Sequence, residues 1–482
     1  MTDQQSLQTA SFRDPAGSVF LLDNRVLRVV TPAGKQDLDA FLASPQARKL
    51  LEQGKVVSTV MLEESGQRAI LSQESLRSRF GSLDECIVVE HERIPFPSFP
   101  YEWSPLMLYA AAELTLDLAE DLLKDDLGLK DATPYNVLFR GPEPVFVDLL
   151  SFERRHPGDP TWLPYAQFLR TFLLPLAAHK FFGLSPDHVL MTRRDGLEPE
   201  EVYRWTSPLQ RLRPPFLSLV SMPAWLGARH SPDDTKPYER KLMENTEKAA
   251  FILNSLFSRL RRQLHKLAPQ SASSVWSTYM TTNNNYTNEH FQAKERFVEQ
   301  ALSEFSPASL LDVGCNTGHF SAIATRAGAR VVSIDYDPAV VDQVWRRAKA
   351  ERLNILPLVV NLTRPTPSVG WRNRESASFL DRARGSFETV LMLAVMHHML
   401  VTERIPLDEI LSQAAELTTR WLIIEFIGPE DSMFRRLTRG REELHRGLDR
   451  QVFESAAARW FEIVRSQHLD DTHRWLYLLR KR

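Results

Sequence analysis

A chain of 482 residues is longer than one hydrophobic core organises, so two or more domains are expected. Its 43% hydrophobic and 25% charged residues are ordinary for a globular protein, and a net charge of -2 gives no electrostatic ground for a nucleic-acid partner. Two cysteines, Cys86 and Cys315, exclude a disulfide scaffold and a cysteine-rich zinc site.

Residues 1–16 are polar and read as disordered, with no signal-peptide pattern, so a cytoplasmic protein is expected. From residue 17 the pattern becomes β-prone. Ser18 to Leu22 and Val26 to Val30 flank Asp23, Asn24 and Arg25 as a hairpin, followed by helical sequence around Leu38 to Gln53 and a strand over Ile87 to His91. Ser104 and Pro105 open a helix running to about Lys124, with Ser104 as N-cap and one face buried. Next come Asp131, Asn136, a strand, a turn at Gly141 and Pro142, and a second strand ending in Asp148.

This order of long helix, D-x-x-x-x-N loop, strand, turn and strand ending in Asp resembles the kinase fold over residues 17–185. The resemblance implies Asp131 as a base, Asn136 and Asp148 as magnesium ligands, and ATP as a cofactor. The sequence departs from the pattern. Lys130 stands where kinases have Arg, Leu149 and Leu150 follow Asp148, and no glycine-rich loop covers the first hairpin. Arg28 and Lys35 are the only arguable phosphate-binding cations. Three readings stay open: a kinase-like domain used for binding, an active kinase, or loop residues of no kinase ancestry.

The most apolar segment, Phe168 to Leu184, is interrupted by Arg170, His179 and Lys180, and is too short and charged to span a bilayer. Residues 186–270 read as a mainly helical connector, with one long helix from Lys241 to Leu267 and a linker from Gln270 to Ser274.

Residues 276–482 carry the clearest signal. Tyr279 to Tyr286 leads in as a possible lid or a plain linker, and Lys294 to Leu302 reads as a helix. Leu310, Leu311, Asp312 and Val313 form a buried strand that turns at Gly314, Cys315, Asn316, Thr317 and Gly318 into a helix. A second strand, Val331 to Ile334, ends in Asp335, about 20 residues on, where an acid binds ribose hydroxyls. Asp312 would repel a diphosphate but tolerates an ammonium group, the spacing is G-x-x-x-G, and the chain closes on two strands, Phe461 to Val464 and Trp475 to Leu479. These features point to S-adenosylmethionine (SAM) rather than NAD.

Here the chain resembles class I SAM-dependent methyltransferases, whose first motif is D-x-G-x-G-x-G. Asn316 replaces the middle glycine and is the residue best suited to keep a left-handed turn. The fold class expected is α/β, a Rossmann-like seven-stranded methyltransferase sheet preceded by the α+β kinase-like domain and the helical connector. The two-part order also resembles bacterial two-part methyltransferases, some of them nodulation proteins, through Lys130 to Asn136, Val147 to Phe152, the Gly314 to Gly318 turn and Ala394 to His398.

The resemblance implies cofactor contacts from Asp312, Gly314, Cys315, Asn316, Gly318, Asp335 and Leu393, with Asn361 on the adenine edge and Tyr336 on its face. His397 and His398, after the strand Phe387 to Leu393, are candidate bases, His398 preferred, and Glu425 is a candidate acceptor contact. The insertion Pro429 to Arg450 offers Arg435, Arg436, Arg439 and Arg441 to an anionic group. The function expected is methyl transfer to a small or carrier-linked acceptor, a sugar hydroxyl being one candidate. The alternatives are a bifunctional kinase–methyltransferase and a non-catalytic SAM-binding protein.

Overall fold

The computed structural model describes residues 8–9, 11, 13–80, 83, 85–227, 241–270 and 288–482. The linker residues 271–274, the segment Tyr279 to Tyr286 and most of the N-terminal stretch lie outside the described residues. The chain divides into two compact units. One comprises Met1–Tyr101, Pro105–Phe139 and Pro144–Pro269, and the other Glu102–Ser104, Arg140–Glu143 and Gln270–Arg482.

In the first unit, strands β1 (Gln8–Thr9), β2 (Gly17–Leu22), β3 (Arg25–Val30), β4 (Thr59–Met61) and β5 (Ile87–His91) form an antiparallel sheet in the order β1-β2-β3-β5-β4. Asp23 turns the β2–β3 hairpin with φ +54°. Phe20, Leu27, Val29 and Val88 bury one face under Ile70 and Leu76. The helix Pro105–Leu122 is buried on almost every side rather than on one face, and the buried Ser104 Oγ makes no hydrogen bond among the described residues, so it does not act as the expected side-chain cap. β6 (Leu127–Leu129) pairs with β9 (Phe152–Arg154), and β7 (Val137–Arg140) with β8 (Glu143–Phe146). The long helix starts at Thr246, not Lys241, because the Asn245 side chain accepts from the Lys248 N–H. It ends at Leu267, with Leu253, Phe257, Leu260 and Leu264 buried at helical spacing.

The second unit is a seven-stranded sheet of β10 (Ser309–Val313), β11 (Arg330–Asp335), β12 (Ile355–Val359), β13 (Phe387–Met392), β14 (Thr418–Ile427), β15 (Phe461–Leu469) and β16 (Arg474–Lys481), in the order β12-β11-β10-β13-β14-β16-β15. β10 to β14 run parallel, and β16 lies antiparallel between β14 and β15. Every residue of β10 and β12 is buried, as a sheet covered on both faces demands. The helix Asn288–Phe305 contributes Phe297, Val298 and Leu302 to a core shared with Leu310, Val331 and Leu391. The strand order reverses at β10, between β11 and β13, so the carboxyl ends of these strands open a crevice there. No helix among the described residues is long and apolar enough to cross a membrane.

Candidate active site

A cavity of about 390 Å³ occupies the carboxyl edge of β10, β11 and β13. Its floor is the turn after β10. Gly314, Asn316 and Gly318 all hold left-handed backbone, with φ of +67°, +46° and +73°. Asn316 adopts that conformation by accepting the Thr317 N–H on its own Oδ1, at 2.7 Å. A Cβ on Gly314 would lie 3.1 Å from Val395, and one on Gly318 3.0 Å from Val344, so close packing adds to the demand for glycine. The Gly314 and Cys315 N–H groups both donate to the Ile334 carbonyl, which ties the turn to β11.

Two aspartates face this turn. Asp335 accepts the Asn316 N–H at 3.1 Å on one oxygen and the Asp337 N–H at 3.1 Å on the other. Asp312 is 3% exposed and accepts from Ser321 Oγ at 2.6 Å. Neither forms an ion pair among the described residues. Burial pushes each carboxyl up to about 6, against the pull of their hydrogen bonds. Cys315 is buried and its thiol is raised far above its ordinary value by that burial, as befits a packing residue rather than a nucleophile.

The remaining predicted contacts converge on the same cavity. Tyr336, Asn361 and Leu393 all line it. Asn361 Oδ1 already accepts from Thr363 N and Thr363 Oγ1, at 3.0 and 2.6 Å. With its acceptor engaged, the Asn361 amide offers a ligand N–H donors rather than the expected oxygen.

At the other end stand His397 and His398, at the start of the helix Met396–Val401, with ring centroids 4.2 Å apart. His397 is buried, and its Nδ1 has no hydrogen-bond partner among the described residues. Burial, then the charges of His398, Arg474 and Lys294, hold its pKa well below the ordinary 6.5, and burial also lowers His398.

Sequence reasoning missed the polar group beside them. Lys294 and Arg474 both line the cavity. Lys294 Nζ meets Glu425 Oε2 at 2.7 Å, Arg474 Nη1 lies 3.8 Å from Glu425 Oε1, and Arg474 Nε donates to Asp431 Oδ2 at 2.8 Å. Glu425 is fully buried and is not part of the cavity wall. The direct acceptor contact expected of Glu425 is thus replaced by two ion pairs to residues that do line it. A lysine near the N-terminal end of one helix and an arginine 180 positions later carry no shared motif; only the buried carboxylate in a strand hinted at a partner.

The kinase-like residues sit in the first unit. Asp148 Oδ1 accepts from Arg28 Nη1 at 2.5 Å and Oδ2 from Ser151 Oγ at 2.6 Å, while Asn136 Nδ2 donates to Ser151 Oγ at 2.9 Å. Burial raises the Asp148 carboxyl, but the Arg28 charge and these hydrogen bonds outweigh it and leave it below the ordinary range. Asp131 is raised by burial and by the charge of Asp148. Among the described residues no group of three or more His, Cys, Asp or Glu is arranged to hold a metal ion.

A family profile described as a methyltransferase domain matches residues 286–480. Over its whole length the chain is similar to nodulation protein NoeA of Rhizobium meliloti (strain 1021), with 30% identity over 474 residues, 98% of this chain and 95% of that one. The chain belongs to the NoeA family. The profile match falls on the seven-stranded sheet described above, and the chain is a SAM-dependent methyltransferase. Among solved structures, the N-methyltransferase NodS of Bradyrhizobium japonicum WM9 in complex with S-adenosyl-L-homocysteine is 12% identical, covering 42% of this chain and 91% of its own, with a TM-score of 0.31. The PH0226 protein of Pyrococcus horikoshii OT3 is 15% identical over 42% of this chain and 98% of its own, also at 0.31.

Proposed function

We propose that the second unit holds SAM against the β10 turn and methylates a hydroxyl on a small or carrier-linked acceptor placed beside His397 and His398. The observation that carries this reading is the joining, in one cavity, of a left-handed turn, two carboxyls that form no ion pair among the described residues and a pair of adjacent imidazoles whose pKa values burial lowers. SAM bound there supplies a methyl group on a sulfonium, which an aligned nucleophile displaces in line. The residues fit such a ligand. Asp335 keeps acceptor capacity for ribose hydroxyls, Asp312 for an ammonium group, and the backbone of Gly314, Cys315, Asn316 and Gly318 leaves room for close approach. Leu393 gives an apolar wall, Tyr336 a ring for the adenine face, and Asn361 an amide for its edge. His397 and His398, held neutral, can each take the proton of an acceptor hydroxyl, an assistance worth roughly 10²–10⁴-fold. Glu425 acts as a positioning residue through Lys294 and Arg474.

The first unit is proposed as a kinase-like domain used for binding. The succession of helix Pro105–Leu122, loop, β7, β8 and Asp148 supports that ancestry. The Arg28–Asp148 ion pair favours binding over phosphoryl transfer, since a magnesium ion and ATP would need that carboxylate released.

The test is calorimetric titration with SAM of the wild type and of Asp335→Ala. Binding by the wild type, weakened at least about tenfold by loss of a charge-assisted contact, is expected. A wild type that fails to bind SAM while remaining folded overturns the assignment.

A further inference from the structure

The helix Met396–Val401 borders two hollows. His397, His398 and Met399 line the cavity already described, whereas Leu400 and Val401 line a second one of about 480 Å³. That volume lies within the roughly 300–1,000 Å³ of small-molecule sites. Three arginines line it. Arg404 follows the helix, and Arg439 and Arg441 come from the insertion between β14 and β15, while Arg435 and Arg436 are not part of this wall.

None of the three arginines has a carboxylate partner among the described residues, and the nearby acids are engaged elsewhere. Glu403 pairs with Arg364 at 2.7 Å, Glu443 pairs with Arg446, and Glu442 Oε1 accepts the Gly440 N–H at 2.9 Å. Three guanidiniums on one hollow repel one another, and an anion between them relieves that repulsion. Arg404 and Arg439 also hold left-handed backbone, with φ of +57° and +38°, a conformation that disfavours side chains such as theirs. Arg439 Nε donates to the Arg436 carbonyl at 3.1 Å, which restricts its side chain. Besides Thr438 and His445, the rest of the wall is apolar, with Leu400, Val401, Ile405, Pro406, Leu437 and Leu444, and Leu444 is 69% exposed. A hydrated inorganic anion alone gives no reason for that apolar surface.

We propose that this second hollow binds a phosphomonoester with an apolar body, its phosphate oxygens on Arg404, Arg439 and Arg441 and its apolar part on Leu437 and Leu444. Guanidinium forks match phosphate oxygens in pairs, and the apolar wall selects what is attached to them. The inference is independent of the SAM assignment.

Titrating the full chain with octyl phosphate at low ionic strength tests it, with inorganic phosphate as a second probe. Octyl phosphate is expected to bind at least about tenfold more tightly than inorganic phosphate. The Arg404→Gln/Arg439→Gln/Arg441→Gln variant should lose about tenfold or more for octyl phosphate. Leu444→Ser, at an exposed site that leaves folding intact, should weaken octyl phosphate about threefold and leave inorganic phosphate unchanged. Octyl phosphate binding that survives the triple substitution, or no binding to the wild type at millimolar concentrations, overturns the site. Equal affinity for the two probes overturns its apolar half.

Discussion

Each unit carries aspartates at or near the carboxyl ends of strands, Asp148 and Asp335 half-buried and Asp312 buried, and the two settings differ in one respect. Asp148 in the first unit is met by a guanidinium, and its carboxyl lies below the ordinary range. Asp312 and Asp335 in the second accept hydrogen bonds but form no ion pair among the described residues, Lys294 acting on Asp312 only through its charge, and both are raised to about 6. A buried carboxylate answered inside the protein contributes to the fold and has little left for a ligand. One left without a counter-charge costs the ligand-free protein stability and gains most when a ligand supplies a hydroxyl or an ammonium. By this measure the site of Asp312 and Asp335 is poised for a ligand, whereas Asp148 is satisfied by Arg28.

The comparison breaks most directly at Arg28. Arg28→Met leaves Asp148 with no cation and is expected to cost about 3 kcal/mol in urea denaturation, with most of it recovered in Arg28→Met/Asp148→Leu. A cost below about 1 kcal/mol for the single variant would mean that the ion pair does not distinguish the two sites.

Acidity sharpens the other side. Asp312 and Asp335 titrate near 6 when folded, against 3.8 unfolded. Between those values the folded chain holds more protons than the unfolded one. Stability of the ligand-free protein therefore falls as pH rises from about 4 to about 6, on the order of 3 kcal/mol per carboxyl, and levels off above. SAM favours the ionised carboxyls, so its affinity should rise over the same interval. Thermal unfolding with and without SAM across this range checks both trends, and Asp312→Asn should make each shallower. Affinity that is flat with pH would show that these carboxyls do not meet the ligand.

The smallest effect is expected at Asn316. Asn316→Gly removes side-chain strain and one short hydrogen bond but keeps the left-handed turn, so stability should change by less than about 1 kcal/mol and SAM binding should persist. Asn316→Val should cost more than the glycine in the same denaturation assay, because a β-branched residue resists that backbone.

What was legible in the sequence follows the same physics. The β10 turn and Asp335 could be read because left-handed backbone admits few residue types and the acid at the end of the second strand falls at a fixed distance from that turn. The strands β10, β11 and β13 announced themselves as apolar runs, and Asn316 behaves as its chemistry required. The quartet of Lys294, Glu425, Asp431 and Arg474 could not be read, because its members meet only after the sheet is assembled. The same holds for Arg28 and Asp148, 120 positions apart. Local rules gave the start of the helix Thr246–Leu267 too early because several residues before Asn245 are equally helix-compatible. They missed the burial of Pro105–Leu122 because its polar residues look like a solvent face until the surrounding elements are known.

Because β16 runs against its neighbours, its first residue, Arg474, lands opposite Ile427 at the carboxyl edge of β14. A cavity founded on residues 312–335 is thus walled off by a residue made some 140 positions later. While the ribosome is still adding the intervening segments, Glu425 and Asp431 stand without that arginine. The residues of the β10 turn leave the ribosome early, but the ion pairs of Arg474 with Glu425 and Asp431 form only as the last hairpin docks, so the end of the cavity beside Lys294 and Arg474 is the last to be completed.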